Sequence, residues 1–344
     1  MKQHIMHFSL TLLLVAAASQ VYAGSGNRVG TGGATELLIP VGTRDIALSG
    51  STISTTSGVE ALFWNPAGAA RVNNSVGLYF SHMSYIADIG VDYGAVSANF
   101  EGLGVLSLTI KSLSFGDIPV TTTTTPDGTG ETFSPQFFTA GVTYSRQLSD
   151  RVSVGLTTNF IMERMADVSA NGVAFNVGVI YDNLASLNGL SLGVVVKNVG
   201  PQMKFDGPAL YNVASVSGQG RPPSYYKIDA APFELPSTVE FGLGYKKQFD
   251  ADNGLQLSTS FLNSNFSDDE YNVGAEYAYQ DLFFLRGGYN FSQKTRDQAK
   301  YIFGGSFGAG IHYLVGSIDV TFDYAFRAVD LFDNNHIFSL KLGF

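Results

Sequence analysis

From about Val76 to the end of the chain, apolar and polar residues alternate in segments of strand length, and this pattern restricts the fold more than any other feature. In one such segment the odd-numbered side is polar and the even-numbered side is apolar or aromatic: Ile318, Val320, Phe322, Tyr324 and Phe326. Successive side chains of a strand point to opposite sides of the sheet. Each segment therefore has an apolar face, here called the oily face, and a polar face, here called the wet face.

The composition indicates that the oily faces contact lipid. In a soluble sandwich they would form the core, and the wet faces would be rich in charge. Here the wet faces carry mostly Gly, Ser, Thr and Asn, for example Gly242 and Gly244 beside Glu240, and only 14% of all residues are charged. Tyr and Phe recur towards strand ends, as in the aromatic girdles of outer-membrane barrels. Sheet in hydrocarbon must pair all its backbone groups and therefore close on itself.

Charge and cysteine content exclude several classes of function. The chain has 20 bases, 29 acids and no Cys, which gives a net charge of −9. An acidic chain is a poor ligand for nucleic acid, so we expect no nucleic-acid partner. Without Cys there are no disulfides, thiolate metal sites or Cys nucleophiles.

The predicted fold class is an all-β transmembrane antiparallel β-barrel in the outer membrane of a Gram-negative-type cell, in contact with outer-membrane lipid.

We count about fourteen strands between residues 74 and 344. The predicted spans are 74–85, 90–100, 103–115, 135–148, 152–165, 172–182, 190–199, 236–248, 254–264, 270–279, 282–292, 301–313, 316–327 and 335–344. With both chain ends in the periplasm, connections after odd-numbered strands face outward and can be long. The two longest connections, 116–134 and 200–235, follow the third and seventh strands, which supports the count.

The two ends of the chain carry sorting signals. Residues 1–23 have a basic start at Lys2, an apolar run and small residues before Gly24, which predicts a cleaved secretory signal peptide; an uncleaved anchor is the alternative. The last segment alternates and ends in Phe344, which resembles the signal that hands outer-membrane barrels to their assembly machinery.

Residues 24–73 lack the alternation and predict a short N-terminal hatch in the lumen. Ser57 and Glu60 have the spacing of a capping box, so a small helix is expected to begin near Gly58. Pro66 biases Asn65 away from helix and helps to end that element. Larger barrels are often plugged in this way; a disordered leader is the alternative.

Three sequence blocks carry a family resemblance: Gly42-Thr43-Arg44, Phe63-Trp64-Asn65-Pro66-Ala67-Gly68 and Lys197-Asn198-Val199-Gly200-Pro201. In these blocks the chain resembles the PorV/PorQ family, within the wider class of FadL-like fatty-acid transport barrels. The resemblance implies a fourteen-stranded barrel with an internal hatch. It also implies a role in the type IX secretion system, in contact with cargo or translocon proteins.

Catalytic and metal chemistry is not expected. After the signal peptide only three His remain, namely His82, His312 and His336, and none has ligand spacing to another. A Ser-His-acid hydrolase would need an activated Ser and an orienting acid near one of them. Ser306 and Asp319 share the predicted wet face with His312, but polar lumen residues that only hydrogen-bond are far commoner. We predict no enzyme activity and no cofactor.

Two groups of residues are candidates for binding. The hatch residues Leu62, Phe63, Trp64, Asn65, Pro66 and Gly68 could line a site for a hydrophobic small molecule. The longest outer loop carries Arg221, Tyr225 and Tyr226, which could meet a partner or pack onto the loop itself. Three functions remain open at this point: a secretion component that binds partners through its rim and outer loops, a transporter of hydrophobic compounds, and a passive barrel.

Overall fold

A computed structural model of the chain describes residues 32–72, 74–215, 222–292 and 301–344. Fourteen antiparallel strands close into one barrel, in which each strand pairs with its neighbours in the chain and the first pairs with the last. The strands are β1 Val76–Ser84, β2 Gly90–Phe100, β3 Gly104–Ser114, β4 Gln136–Ser149, β5 Val152–Met165, β6 Val168–Asp182, β7 Leu190–Val199, β8 Thr238–Gln248, β9 Asn253–Ser264, β10 Glu270–Tyr279, β11 Phe283–Ser292, β12 Phe303–Val315, β13 Ile318–Val329 and β14 Asn335–Gly343.

The predicted fold class and strand count are confirmed. Every predicted span overlaps one strand, and the largest difference is at β6, which begins at Val168 rather than at residue 172. Because β6 begins four residues earlier, only two residues connect β5 to β6, and this tight turn lies at the same end of the barrel as the long loops. Both of those loops contain a short hairpin that was not expected: Ile118–Pro119 with Thr132–Phe133, and Tyr211–Ala214 with Ser224–Lys227. We call the second one the tyrosine hairpin.

The two faces of the sheet are disposed as the alternation requires. On β13 Phe322 is exposed on the outside of the barrel, whereas Thr321 and Asp323 are buried inside it. The turns that follow the even-numbered strands lie at one end of the barrel, together with both ends of the barrel sequence, Val76 and Gly343. This is the periplasmic end by the rule for outer-membrane barrels. The long loops lie at the other, outer end. Among the described residues no helix has the length and apolar character needed to cross a membrane.

The hatch runs through the lumen from the outer end to the periplasmic end. Near the outer end, the Gly33 backbone N–H donates to the carbonyl of Glu234 in the loop between β7 and β8, at 3.3 Å. The hatch then forms 3₁₀ helices and two α-helices: Thr35–Leu38, α1 Thr43–Ala47, Gly58–Glu60, α2 Ala61–Trp64 and Pro66–Ala70. The predicted signal peptide, residues 24–31 and residue 73 lie outside the described residues, and the hatch boundaries at 24 and 73 stay a prediction.

The predicted capping box is wrong, although a helical segment does begin at Gly58. The Ser57 side chain makes no capping hydrogen bond. The Glu60 carboxylate instead accepts a hydrogen bond from the Lys341 ammonium of β14, at 2.6 Å. An ionised partner across the lumen is a stronger competitor for this carboxylate than a backbone N–H of its own turn.

Glycines on the inner wall let the hatch backbone touch the barrel. A Cβ added at Gly155 of β5 would overlap Pro66, and one added at Gly178 of β6 would overlap the Asn65 side chain. At Gly193 and Gly288 it would overlap the hatch backbone at Ile53 and at Leu48. The glycines of the wet face therefore form the seat of the hatch.

Candidate functional site

The Trp64 side chain fixes the centre of the hatch. Its indole Nε1 donates to the carbonyl of Val41 at 2.9 Å, and its ring meets the Phe63 ring edge-on at 5.3 Å between centroids. Trp64 is 7% exposed and Leu62 is 2% exposed. These two side chains are part of the packed hatch core, which they share with inward-facing residues of the wall.

Asn65 and Pro66 join the hatch to the wall. The Asn65 amide donates to the carbonyl of Ile53 at 2.9 Å, and its oxygen accepts from the backbone N–H of Ala67 at 3.2 Å. The carbonyl of Pro66 accepts from the Ser145 hydroxyl of β4 at 2.6 Å. The most specific motif block of the sequence is thus where the chain turns within the hatch and contacts the barrel at β4, β5 and β6.

Phe63 faces the outer half of the lumen, where two lysines approach its ring. The ammonium groups of Lys111 on β3 and Lys197 on β7 lie 5.1 Å and 5.0 Å from the ring centroid. Both distances are within cation–π range. The expectation that Leu62, Phe63, Trp64, Asn65, Pro66 and Gly68 line a ligand site stays a prediction.

The motif from Lys197 to Pro201 builds a β-bulge. The pairing of β6 with β7 shifts register at this point, and Asn198 adopts a positive φ of 59°. The Lys197 ammonium lies in the lumen, 2.7 Å from the Glu240 carboxylate of β8, and the bulge turns the next side chain, Asn198, inward as well. The Asn198 amide donates to the carbonyl of Pro236 at 3.2 Å and so ties the start of β8 to the bulge. Bulges commonly re-aim side chains in this way.

A chain of ion pairs links the hatch to three wall strands. Arg44 of α1 binds both oxygens of Glu276 on β10, with Nε–Oε2 and Nη2–Oε1 distances of 2.9 Å. The same carboxylate accepts from Arg286 of β11 at 2.6 Å, and Arg286 reaches Asp323 of β13 at 2.5 Å. Bidentate pairs of this kind are geometrically demanding and strong. Sequence alone did not identify this network, because its members are isolated charges on wet faces.

Two further ion pairs fix the periplasmic part of the hatch. Glu60 pairs with Lys341 of β14, as described above, and Arg71 pairs with Asp182 of β6 at 2.7 Å. Together with Arg44 and Glu276 these contacts hold the hatch at three places around the barrel. We call the three pairs the hatch latch. They line a cavity of about 640 Å³ at the periplasmic end of the lumen.

Buried carboxyl groups of the hatch differ in their readiness to ionise. Burial raises the pKa of Asp45 to about 7; Arg44 opposes the rise and Glu60 adds to it. Burial also works against ionisation of Glu60, but Lys341 and Arg44 outweigh it and hold the pKa of Glu60 below its ordinary value. Glu60 is therefore an anion at neutral pH, as its latch contact requires.

Each of the three histidines contacts an oxygen atom of a neighbouring side chain, and His312 Nδ1 also lies 2.9 Å from the carbonyl oxygen of Asp281. His82 lies 2.7 Å from Asp92, His312 lies 3.1 Å from Asp319, and His336 lies 2.9 Å from the Tyr324 hydroxyl. The part of the chain that the structure describes contains no group of three or more His, Cys, Asp or Glu side chains that could hold a metal ion.

The predicted outer-loop residues fall partly in the tyrosine hairpin. Tyr225 pairs with Val213 and Tyr226 pairs with Asn212, so the two tyrosines lie on opposite faces. Tyr225 is 78% exposed and Val213 is 60% exposed. Arg221 lies outside the described residues.

Comparisons with known proteins agree with this architecture. The family model described as type IX secretion system protein PorV matches residues 23–217, which is more than half of the chain. No curated protein sequence matches the chain.

Solved structures share the fold at low sequence identity. The toluene transporter TodX of Pseudomonas putida is 13% identical, with a TM-score of 0.52 over 88% of this chain and 96% of that chain. A TodX monoaromatic hydrocarbon channel deltaS2 mutant is also 13% identical, with a TM-score of 0.50 over 88% of this chain and 97% of that chain. Neither the matched family nor this fold is that of an enzyme. The chain belongs to the PorV family and is an integral β-barrel of the outer membrane.

Proposed function

We propose that this barrel is a component of type IX protein secretion that binds a partner protein, either cargo or translocon, through its outer rim and loops. The family match supports a secretion role. The observation that carries the finer proposal is the tyrosine hairpin at the outer end of the barrel.

The hairpin has the features of a protein-binding element. Directly paired residues share a face, so Tyr211 and Val213 lie beside Lys227 and Tyr225 on one side. The three apolar members are 50%, 60% and 78% exposed for Tyr211, Val213 and Tyr225. Large aromatic side chains are enriched where protein interfaces gain most of their affinity. Among the residues that the structure describes, the hairpin is a sheet of two strands, so each strand offers an edge that can pair with an extended segment.

The hatch inside the lumen supports a role at the rim rather than in the pore. The hatch packs against the inner wall at several strands and is held by the latch ion pairs. A large partner can reach the hairpin without any movement of the hatch.

The experiment that tests this function is deletion of the gene followed by analysis of the secreted proteins. We expect cargo proteins to accumulate in the periplasm of the deletion strain, while uptake of long-chain fatty acids stays unchanged. Normal export of all proteins in the deletion strain would contradict the proposal. A plasmid copy of the intact gene is the control for complementation.

A second candidate is transport of hydrophobic compounds, favoured by the placement of Phe63. This aromatic ring is half-buried in the outer half of the lumen and has two ammonium groups near it, so it could contact an apolar ligand with an anionic end. Trp64 is the single Trp of the chain and touches Phe63. Titration of the purified barrel with a long-chain fatty acid should then change Trp64 fluorescence; an unchanged signal at saturating ligand would count against this candidate.

A further inference from the structure

One small area of the outside wall is polar although it faces the membrane. Near the outer ends of β1 and β2, His82 Nδ1 lies 2.7 Å from Asp92 Oδ1, and the two side chains are 47% and 49% exposed. Among the barrel-strand positions that the structure describes, Asp92 is the one acidic residue on an outward-facing position. Ser112 of β3 stands directly opposite Asp92. We call these three residues the polar notch.

The depth of the notch explains why it is tolerated. His82 is two residues from the outer end of β1, and Asp92 is two residues from the outer end of β2. Charged side chains on the lipid face are costly at the bilayer midplane and nearly free at the interface. The notch thus lies at the level of the lipid head groups, where half of its surface remains open to them.

Below the notch the wall is apolar and recessed along β2. The outward-facing residues that follow Asp92 are Gly94, Val96 and Ala98, and a Cβ added at Gly94 would meet nothing within 4 Å. The rows on either side are bulky, with Phe80 of β1 and Ile110 of β3 at the level of Gly94. Adjacent strands are about 4.8 Å apart, so these two rows are about 10 Å apart and leave the width of one acyl chain.

We propose that the notch and the recess bind one lipid of the outer leaflet, whose head group donates hydroxyl hydrogen bonds, as a glycolipid does. The Asp92 carboxylate would accept from the head group, His82 and Ser112 would complete its contacts, and one acyl chain would lie along Gly94, Val96 and Ala98. The outward face of β2 supports this occupant. It is polar at the outer end and apolar towards the midplane, and a lipid of the outer leaflet has its polar head group and its acyl chains in the same order. The inference is independent of the secretion role.

The test measures which lipid the purified full-length barrel retains. The protein is exchanged into nanodiscs that contain equal amounts of two lipids. Lipid A is an acylated and phosphorylated glucosamine disaccharide whose hydroxyl and amide groups donate hydrogen bonds, and phosphatidylcholine has no hydrogen-bond donor in its head group. Lipids that stay bound after extraction into detergent are counted by native mass spectrometry. We expect one retained lipid A per wild-type barrel.

Two variants separate the notch from the recess. Asp92→Val removes the acceptor, and Gly94→Leu fills the recess. Each should lower retention of lipid A about tenfold, because each removes an interaction comparable to a hydrogen bond to a charged group or a buried side-chain contact. Ala309→Leu, an outward-facing substitution on β12, is the matched control and should retain lipid A as the wild type does. Both Val and Leu suit a lipid-facing position, and the resistance of folded barrels to sodium dodecyl sulfate confirms folding.

Three outcomes would overturn the proposal. One is equal retention of lipid A by Asp92→Val, Gly94→Leu and Ala309→Leu. Another is equal retention of phosphatidylcholine and lipid A by the wild type. The third is that a photo-crosslinker placed at position 94 in cells labels a membrane protein rather than lipid, which would assign the recess to a protein partner.

Discussion

Arg44 of the hatch binds Glu276 of β10 through two parallel contacts of 2.9 Å, across 232 residues of sequence. The pair joins the hatch to the wall and lines the periplasmic cavity. It is part-buried and belongs to a chain of charges that continues through Arg286 to Asp323. Removal of one partner therefore leaves a buried charge without its neutralising group, which is strongly destabilising.

We predict that Glu276→Gln loosens the hatch. The amide keeps the volume of the carboxylate but removes its charge from between Arg44 and Arg286, which then repel each other. In planar bilayers the variant barrel should conduct ions with larger or more frequent openings than the wild type. Glu101→Gln, in the exposed turn between β2 and β3, removes a carboxylate that lies outside the lumen and is the control. Identical conductance of Glu276→Gln and wild type would show that the latch does not hold the hatch closed.

We predict that Gly178→Val displaces the hatch anchor. A Cβ at this position overlaps the Asn65 side chain, and the two added methyl groups increase the overlap. Overpacking of this kind costs about 1–3 kcal/mol, so the urea midpoint of unfolding should fall. The matched variant Gly287→Val places the same side chain on the lipid-facing side of β11, where an added Cβ meets its nearest atom at 3.8 Å. A smaller fall in the urea midpoint for Gly178→Val than for Gly287→Val would contradict the role of Gly178 in the seat of the hatch.

The Asp45 carboxyl gives the hatch a pH dependence. Its folded-state pKa of about 7 lies above the ordinary value of 3.8 for an aspartate, so the folded barrel binds this proton more tightly than the unfolded chain does. The sign of the linkage is that stability falls as the pH rises from about 4 to about 7. We predict that Asp45→Asn, which stays neutral, is more stable than the wild type at pH 8 by on the order of 1 kcal/mol.

The measurement for Asp45→Asn is the urea midpoint of variant and wild type at pH 5 and pH 8. The increase in the urea midpoint of Asp45→Asn over the wild type should be smaller at pH 5, where the wild-type carboxyl is protonated. A gain that is equal at the two pH values would mean that the side chain does not titrate in this range.

The barrel could be predicted from the sequence because each strand is specified by residues that are close together in the chain. The alternation in segments such as 318–326 specifies a strand, its two faces and, through loop lengths, its direction. The seat of the hatch could not be predicted, because Gly155 and Gly178 look the same in the sequence as any small residue that faces a lumen. Their function becomes visible only when Pro66 and Asn65 are placed against them.

The latch and the bulge show the same limit in other ways. The sequence spacing predicts that Glu60 caps its own helix start, whereas its partner in the structure is a distant cation, Lys341. The motif at Lys197 and Asn198 was recognised as a family feature, but a register shift of the sheet is what gives it a physical role. Contacts between residues far apart in sequence decide both cases.

The most direct test of the account exchanges one face of the tyrosine hairpin for polar residues. In cells whose only copy of the gene carries Val213→Ser and Tyr225→Ser, we expect cargo to be retained in the periplasm, with the barrel present in the outer membrane at wild-type level. Asn212→Ser with Tyr226→Ser changes the opposite face of the same two strands and should secrete as the wild type does. Full secretion by the Val213→Ser, Tyr225→Ser cells would contradict the proposal that this face binds the partner protein.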